Sequence, residues 1–170
     1  GALRDAIGAI LARAGLTAAD VDACAAYGMI TSNVGLCEVP HVTAPAGPDA
    51  LRAGIVRRTL PQVAPFPIDF LPGVRNAPGG DMDMMRGEET EAVGLYSLLR
   101  PGRRCVFVLP GSHDKFVAMG AQGEILGCMT ALTGELLDAL THHTILADAV
   151  GGRFVPADGY DPARVRQGLD

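Results

Sequence analysis

Three short segments gather the residues best suited to chemistry. The first, Gly28-Met29-Ile30-Thr31-Ser32-Asn33, follows an apolar run. Its small hydroxyl and amide groups supply both donors and acceptors, as a polyhydroxylated ligand requires. The second, Met85-Arg86-Gly87-Glu88-Glu89-Thr90, sets two carboxylates where a helical pattern begins. The helix dipole favours an ionised acid there, and a general base that takes a proton from a hydroxyl must be ionised. Arg86 beside them could hold a substrate carboxylate through two parallel hydrogen bonds. The third, Leu109-Pro110-Gly111-Ser112-His113-Asp114-Lys115, leads from an apolar strand into a Gly-Ser turn. Backbone N–H groups of such a turn form a concavity for phosphate oxygens, and Lys115 adds a point charge. Each segment also reads as plain structure: a turn, a helix with acids in its first turn, a strand end.

Other candidates carry less. Ser112-His113-Asp114 looks like a hydrolase triad, but sequence neighbours rarely adopt triad geometry, which draws on separate loops. The chain has no G-x-S-x-G elbow, and both the G-x-x-x-x-G-K-[ST] and G-x-G-x-x-G nucleotide patterns are absent. Any ATP chemistry must then use another fold. His142 and His143 fall late in a helix, where a cation is favourable, and His41 after Pro40 reads as structural. Cys24, Cys37, Cys105 and Cys128 form no C-x-x-C pair and read as small buried hydrophobes, so no metal site is expected.

Elements must hold these segments in place. Leu3, Ile7, Ile10 and Leu11 recur at helical spacing and predict a helix over the first 14 residues. Thr17 with Asp20 suggests a capping box. Strands are expected over residues 21–27, 36–43, 68–71 and 105–109, the last being the clearest buried strand. Pro48 should open a helix whose apolar face includes Leu51, Ile55 and Val56. Residues 74–83, rich in Asn, Pro, Gly and Asp, read as a flexible surface excursion. A helix is expected over residues 86–99, a hairpin over 115–128 and a helix from Thr133. The class is mixed α/β, with residues 1–149 as one lobe and 150–170 as an irregular segment.

Composition narrows the classes. The 170 residues are 48% apolar and 19% charged, which suits a folded domain rather than a disordered chain. A net charge of −5 offers no footprint for nucleic acid or an anionic membrane. No apolar run has the length of a membrane span, and no leader is evident, so a cytoplasmic protein is expected. The chain starts Gly1-Ala2-Leu3-Arg4 without Met or a leading strand, as if a segment had been removed upstream.

Six motifs in order resemble the 2-dehydro-3-deoxygalactonokinase family. They are Gly28-Met29-Ile30-Thr31-Ser32, Glu38-Val39-Pro40-His41, Leu71-Pro72-Gly73-Val74, Met85-Arg86-Gly87-Glu88-Glu89-Thr90, the segment from Leu109 to Lys115, and Met129-Thr130-Ala131-Leu132-Thr133-Gly134-Glu135-Leu136. The resemblance covers residues 20–146, with weaker similarity at Gly168-Leu169. It implies an incomplete lobe of the actin-like ATPase (ribonuclease H-like) fold, a mixed sheet with flanking helices. It also implies phosphorylation of the terminal hydroxyl of 2-dehydro-3-deoxy-D-galactonate in galactonate breakdown, with ATP and Mg2+ as cofactors. By position, Glu88 is the base, with Glu89 the alternative. Met29, Thr31, Ser32 and Asn33 contact the sugar acid, and Arg86 its carboxylate. Gly111, Ser112, His113 and Lys115 meet phosphate. The family's opening Asp-x-Gly phosphate turn and its Gly-rich adenosine loop have no match, so the isolated chain is expected to be inactive and to self-associate through a bared sheet edge. A non-catalytic sugar-acid binding module, or a sugar kinase with another substrate, is the competing reading.

Overall fold

A computed structural model describes residues 1–168 of the chain. Its first half runs α1 (Ala2–Arg13), β1 (Ala25–Ala26), β2 (Val42–Thr43), α2 (Pro48–Ala53), β3 (Val56–Thr59), β4 (Pro67–Phe70), β5 (Val74–Arg75) and β6 (Met84–Met85). Then follow α3 (Glu88–Leu99), β7 (Cys105–Leu109), β8 (Asp114–Met119), β9 (Ile125–Ala131), α4 (Thr133–His142), α5 (Leu146–Val150) and α6 (Pro162–Gln167). Single 3-10 turns occupy Ala18–Asp20, Gly28–Thr31 and Ala157–Gly159. Two compact units result: residues 1–110 with 115–131, and residues 111–114 with 132 onward. Leu169 of the weakest motif lies outside the described residues.

The first unit contains three small sheets. β1 lies parallel to β4, and β3 antiparallel to it, in the order β1-β4-β3. β2 is parallel and β6 antiparallel to β5. β7, β8 and β9 form a sheet in that order. Two apolar clusters hold these elements. One joins Val74, Met85, Ala92, Tyr96, Val117 and Ile125, and thereby β5, β6, α3, β8 and β9. The other gathers Val39, Val63, Ala64, Ile68 and Phe70 around β4. Each large side chain so buried contributes about 1.5–3 kcal/mol.

The helices at the chain start, at Pro48 and at Thr133 begin where expected, though no side chain caps them and Thr133 is the first residue of its helix rather than the cap. At the 3-10 turn Asp20 Oδ2 accepts from both Thr17 N (2.8 Å) and Thr17 Oγ1 (2.7 Å). Several strands differ from expectation. Residues 36–43 pair in a sheet only at Val42 and Thr43, because Leu36 N and Cys37 N donate to Ile30 O, and Val39 N to Thr31 O. That segment folds back on the 28–31 turn instead of extending. Ile55 and Val56 both fall outside the helix expected to carry them, Val56 entering β3, and the 74–83 excursion is anchored rather than loose. β5 and β6 pair at its ends, and Asn76 braces it, accepting from Cys128 N (2.8 Å) and donating to Cys128 O and Asp81 O (2.9 Å each). β7 is not fully buried: Val106 and Val108 are 58% and 53% exposed, while Cys105, Phe107 and Leu109 face the core. Of the cysteines only Cys128 is buried; all four are free thiols, and burial pushes that of Cys128 up to about 11.

In the second unit α4 leads to α5. Residues 157–159 and α6 give local order to a stretch read as irregular, with Asp161 capping α6 by accepting from Ala163 N at 2.9 Å.

Candidate functional site

The loop at residues 28–33 is held rigid by its own hydroxyls. Thr31 Oγ1 donates to Gly28 O (3.0 Å), and Ser32 Oγ donates to Met29 O (2.7 Å) while accepting from Val34 N (3.3 Å). Thr31 is fully buried and Ser32 nearly so, whereas Met29 and Asn33 face outward. The two hydroxyls thus shape the loop, and the outward side chains and backbone are what a ligand can reach.

Arg86 ties this loop to the start of α3. Its Nη1 donates to Thr31 O (2.6 Å) and Thr31 Oγ1 (2.8 Å), and its Nη2 to Val39 O (3.0 Å) and His41 Nδ1 (3.1 Å). These bonds account for the four Nη hydrogens of a five-donor group and leave Nε–H for any ligand. Glycines allow the close approach. Gly87 precedes α3 at φ 129°, a conformation side chains rarely adopt, and a Cβ on it would stand 3.4 Å from Gly28 Cα. The positive φ at Gly87 also explains why the helix begins at Glu88 and not at Arg86.

The paired acids occupy different surroundings. Both carboxylate oxygens of Glu89 accept from Gly87 N at 2.9 Å, and the residue is 1% exposed beside an apolar cleft of about 190 Å³ formed with Leu51, Ile55, Leu71 and Val93. Burial raises its pKa above the usual carboxylate value; the Gly87 and Glu89 backbone N–H groups oppose this, Glu88 reinforces it, and Arg86 opposes it. Glu88 is half-buried and accepts only one short-range bond, from Arg86 N at 3.1 Å. Glu89 caps the helix from inside, and Glu88 presents the reachable carboxylate.

Lys115 points inward. Its Nζ donates to Met84 O (2.7 Å) and to Thr130 Oγ1, and lies 3.7 Å from Asp83 Oδ1, with the residue 7% exposed. Asp83 Oδ2 in turn accepts from Thr130 N (2.5 Å), and Oδ1 from Thr130 Oγ1 (2.8 Å). Burial alone would raise the pKa of Asp83, but Thr130, Met84 N and the Lys115 charge together hold it below the usual value.

In the second unit, residues 111–114 form a turn on the first residues of α4. Gly111 N donates to Asp114 Oδ1 (2.9 Å), Glu135 N to Ser112 O (2.9 Å), and His113 Nε2 lies 2.6 Å from Glu135 Oε2. Ser112 and His113 are exposed. A Cβ on Gly134 would meet Gly111 O at 2.3 Å and Ser112 Cα at 2.8 Å, both backbone atoms. Gly134→Ala is therefore expected to displace the turn at a cost of about 1–3 kcal/mol, read as faster hydrogen exchange at the Glu135 amide. His142 Nδ1 pairs with Asp138 Oδ1 at 2.9 Å, one helical turn away. Among the described residues no three or more His, Cys, Asp or Glu side chains are grouped to hold a metal ion.

Two of the three segments singled out by chemistry, residues 28–33 and 86–90, are thus brought together in one unit. A profile of the 2-keto-3-deoxy-galactonokinase family matches residues 1–169. The chain belongs to that family. A protein of Rhizobium meliloti (strain 1021), assigned as a 2-dehydro-3-deoxygalactonokinase, is 36% identical over 123 residues, which span 72% of this chain and 39% of that protein. The 2-dehydro-3-deoxygalactonokinase of Escherichia coli (strain K12) is 29% identical over 143 residues, spanning 84% of this chain and 45% of the other. Among solved structures, a protein of Sinorhizobium meliloti assigned to the same activity superposes with a TM-score of 0.79 at 26% identity, over 97% of this chain and 54% of that one. The chain therefore spans about half the length of these relatives or less. Family membership agrees with the resemblance of the six motifs, and the mixed α/β elements agree with the expected class. No helix among the described residues is long and apolar enough to cross a membrane.

What the sequence did not point to are the partners of Arg86 and Lys115. Val39 contributes through its carbonyl, which any residue type carries. Asp83 and Thr130 are separated by 47 positions and carry no local pattern.

Proposed function

We propose that this chain carries the sugar-acid side of a kinase that phosphorylates the terminal hydroxyl of 2-dehydro-3-deoxy-D-galactonate, on a lobe of the actin-like ATPase (ribonuclease H-like) type. The observation that supports it most is the joining of the 28–33 loop to the start of α3 by Arg86 and by the contact of Gly28 with Gly87. A sugar acid held by Asn33, Met29 and the loop backbone, with Thr31 and Ser32 keeping that backbone in shape, brings a hydroxyl to Glu88. Glu88 would accept the hydroxyl proton as the nucleophilic oxygen forms its bond to the γ-phosphorus of ATP and the bond from that phosphorus to the β,γ-bridging oxygen breaks, with ADP as the leaving group. Glu89 is the alternative base, and its burial and the bifurcated hydrogen bond it accepts from Gly87 N favour a positioning role. The Nε–H of Arg86 is the donor that remains for the substrate carboxylate.

For the phosphate donor, the turn at residues 111–114 offers Ser112 Oγ and the N–H groups of Ser112 and His113, whereas Gly111 N already serves Asp114. ATP would supply the transferable phosphoryl group, and Ser112 and His113 would hold its oxygens. No metal-dependent step is assigned to this chain's side chains. Lys115 acts from the interior, fixing Met84 O and so β6, which leads into Arg86.

Calorimetric titration of the 170-residue chain with 2-dehydro-3-deoxy-D-galactonate tests the reading. The acid should bind without nucleotide, and Asn33→Ala should weaken it by about threefold to tenfold, the worth of one modest hydrogen bond. No binding by the folded chain at saturating acid overturns the assignment. Equal binding of unrelated sugar acids would remove the stated substrate while keeping the site.

A further inference from the structure

Arg86 can only donate hydrogen bonds, so the ring nitrogen it meets in His41 must accept. His41 is thereby restricted to the neutral tautomer with its proton on Nε2, a buried atom with no hydrogen-bond partner among the described residues. A proton added at Nδ1 would set one N–H donor against another at 3.1 Å, in the same place as two positive charges. The charged groups that face the ring are Arg86, from the junction of β6 and α3, and Arg75, from β5. Both are cations, and Arg75 is held there by its Nε bond to Thr43 Oγ1 at 3.1 Å. On α3, Glu89 offsets part of the Arg86 charge. The segment at residues 31–39 presents to this guanidinium the Thr31 and Val39 carbonyls and the Thr31 hydroxyl, none of which titrates.

We propose that His41 is a positioning residue that must stay neutral: through Arg86 it locks the 28–39 segment onto the start of α3, and its protonation unlocks that segment. The inference rests on geometry and stands whether or not the segment binds a sugar acid. Where that reading of the loop also holds, His41 makes the affinity of the site sensitive to mild acid.

The direction in pH follows. Burial first, and then the charges of Arg86 and Arg75, lower the His41 pKa below 6.5. A group with a lowered folded pKa and a neutral folded form binds fewer protons folded than unfolded between the two values. The lock is therefore complete above the unfolded pKa and is lost as pH falls below it towards the folded value.

Amide hydrogen exchange, normalised to intrinsic rates at each pH, tests this on the intact chain. Of the four histidines only His41 belongs to the first unit, and Glu89 is the other group at this junction with a shifted pKa, so the part of the response that His41→Asn abolishes is the part due to His41. Between about pH 7 and pH 5 protection at residues 28–39 should fall roughly tenfold in the wild type while β8 and β9 remain protected. His41→Asn keeps an acceptor near the Nδ1 position without titrating there, and should hold protection flat across the range. His41→Ala should be poorly protected at every pH. A wild-type segment that does not respond to pH overturns the proposal, and so does an Asn variant that responds as the wild type does. If His41→Ala fails to fold, the comparison of wild type with His41→Asn still decides. Sugar-acid titration at both pH values is a separate arm: a pH response in exchange with no binding at either pH keeps the lock and removes the substrate assignment.

Discussion

In an active kinase that includes this chain, replacing Glu88 by Gln should lower ATP-dependent turnover of the sugar acid by about 10²–10⁴-fold, the usual contribution of a positioned general base. Gln has nearly the same volume, and its Oε1 can still accept from Arg86 N, so the start of α3 should remain as it is. What it lacks is the capacity to take a proton. Sugar-acid affinity by calorimetry should change little, which places the loss in kcat and not in KM. Glu89→Gln should behave differently. Glu89 is buried and bonded through both oxygens to Gly87 N, so its replacement should be read mainly in stability. Its raised pKa sets the sign: the unfolded chain loses this proton first, so the wild-type fold loses stability as pH rises from the unfolded value to the folded one, and the Gln variant lacks that slope. Initial rates of ADP release and urea unfolding at several pH values check both statements. A large turnover loss in Glu89→Gln with none in Glu88→Gln would exchange the two roles.

Lys115→Met should cost about 3–5 kcal/mol, the usual penalty for removing one partner of a buried charge pair. The substitution leaves Asp83, 20% exposed at its side chain, without its cation, and leaves Met84 O without its amine donor. Against a total stability of about 5–15 kcal/mol for a domain, that is a large share. Urea midpoints measure it, and the double variant Lys115→Met with Asp83→Asn should recover part of the loss, since the orphaned charge is then gone. Acid provides a second check. The pKa of Asp83 is held low in the fold, so its contribution is present above the unfolded carboxylate value and disappears as pH falls through the folded one. A Lys115→Met protein as stable as wild type would show that the amine is not a structural member of β8 and would return it to the phosphate role expected from sequence.

Much of the candidate site was legible because its parts are local. The acids after Gly87, the hydroxyls after Gly28 and the Gly-Ser turn each declare themselves within six or seven positions, and their order along the chain identifies the family. Helices were legible for the same reason: the apolar spacing of α1, Pro48 at the first position of α2 and Thr133 at the start of α4 act within a turn or two. Strands were harder to read. β2, β5 and β6 are two residues long, too short to show a period, and each exists only because a distant segment supplies its partner.

By itself, then, the sequence determined which residue types could do chemistry, which family they belong to and where α1, α2 and α4 begin. Tertiary structure decided what each side chain is free to do. Arg86 reads as a ligand clamp in the sequence, yet carbonyls more than forty positions away engage its Nη hydrogens. Lys115 reads as a point charge for phosphate, yet β6 and β9 enclose it. Glu88 and Glu89 are equivalent as letters and differ in burial and in the backbone N–H each accepts from. The physical reason is common to all three cases. Hydrogen-bond saturation and desolvation depend on which distant backbone groups arrive beside a side chain, and a linear pattern of residue types does not contain that.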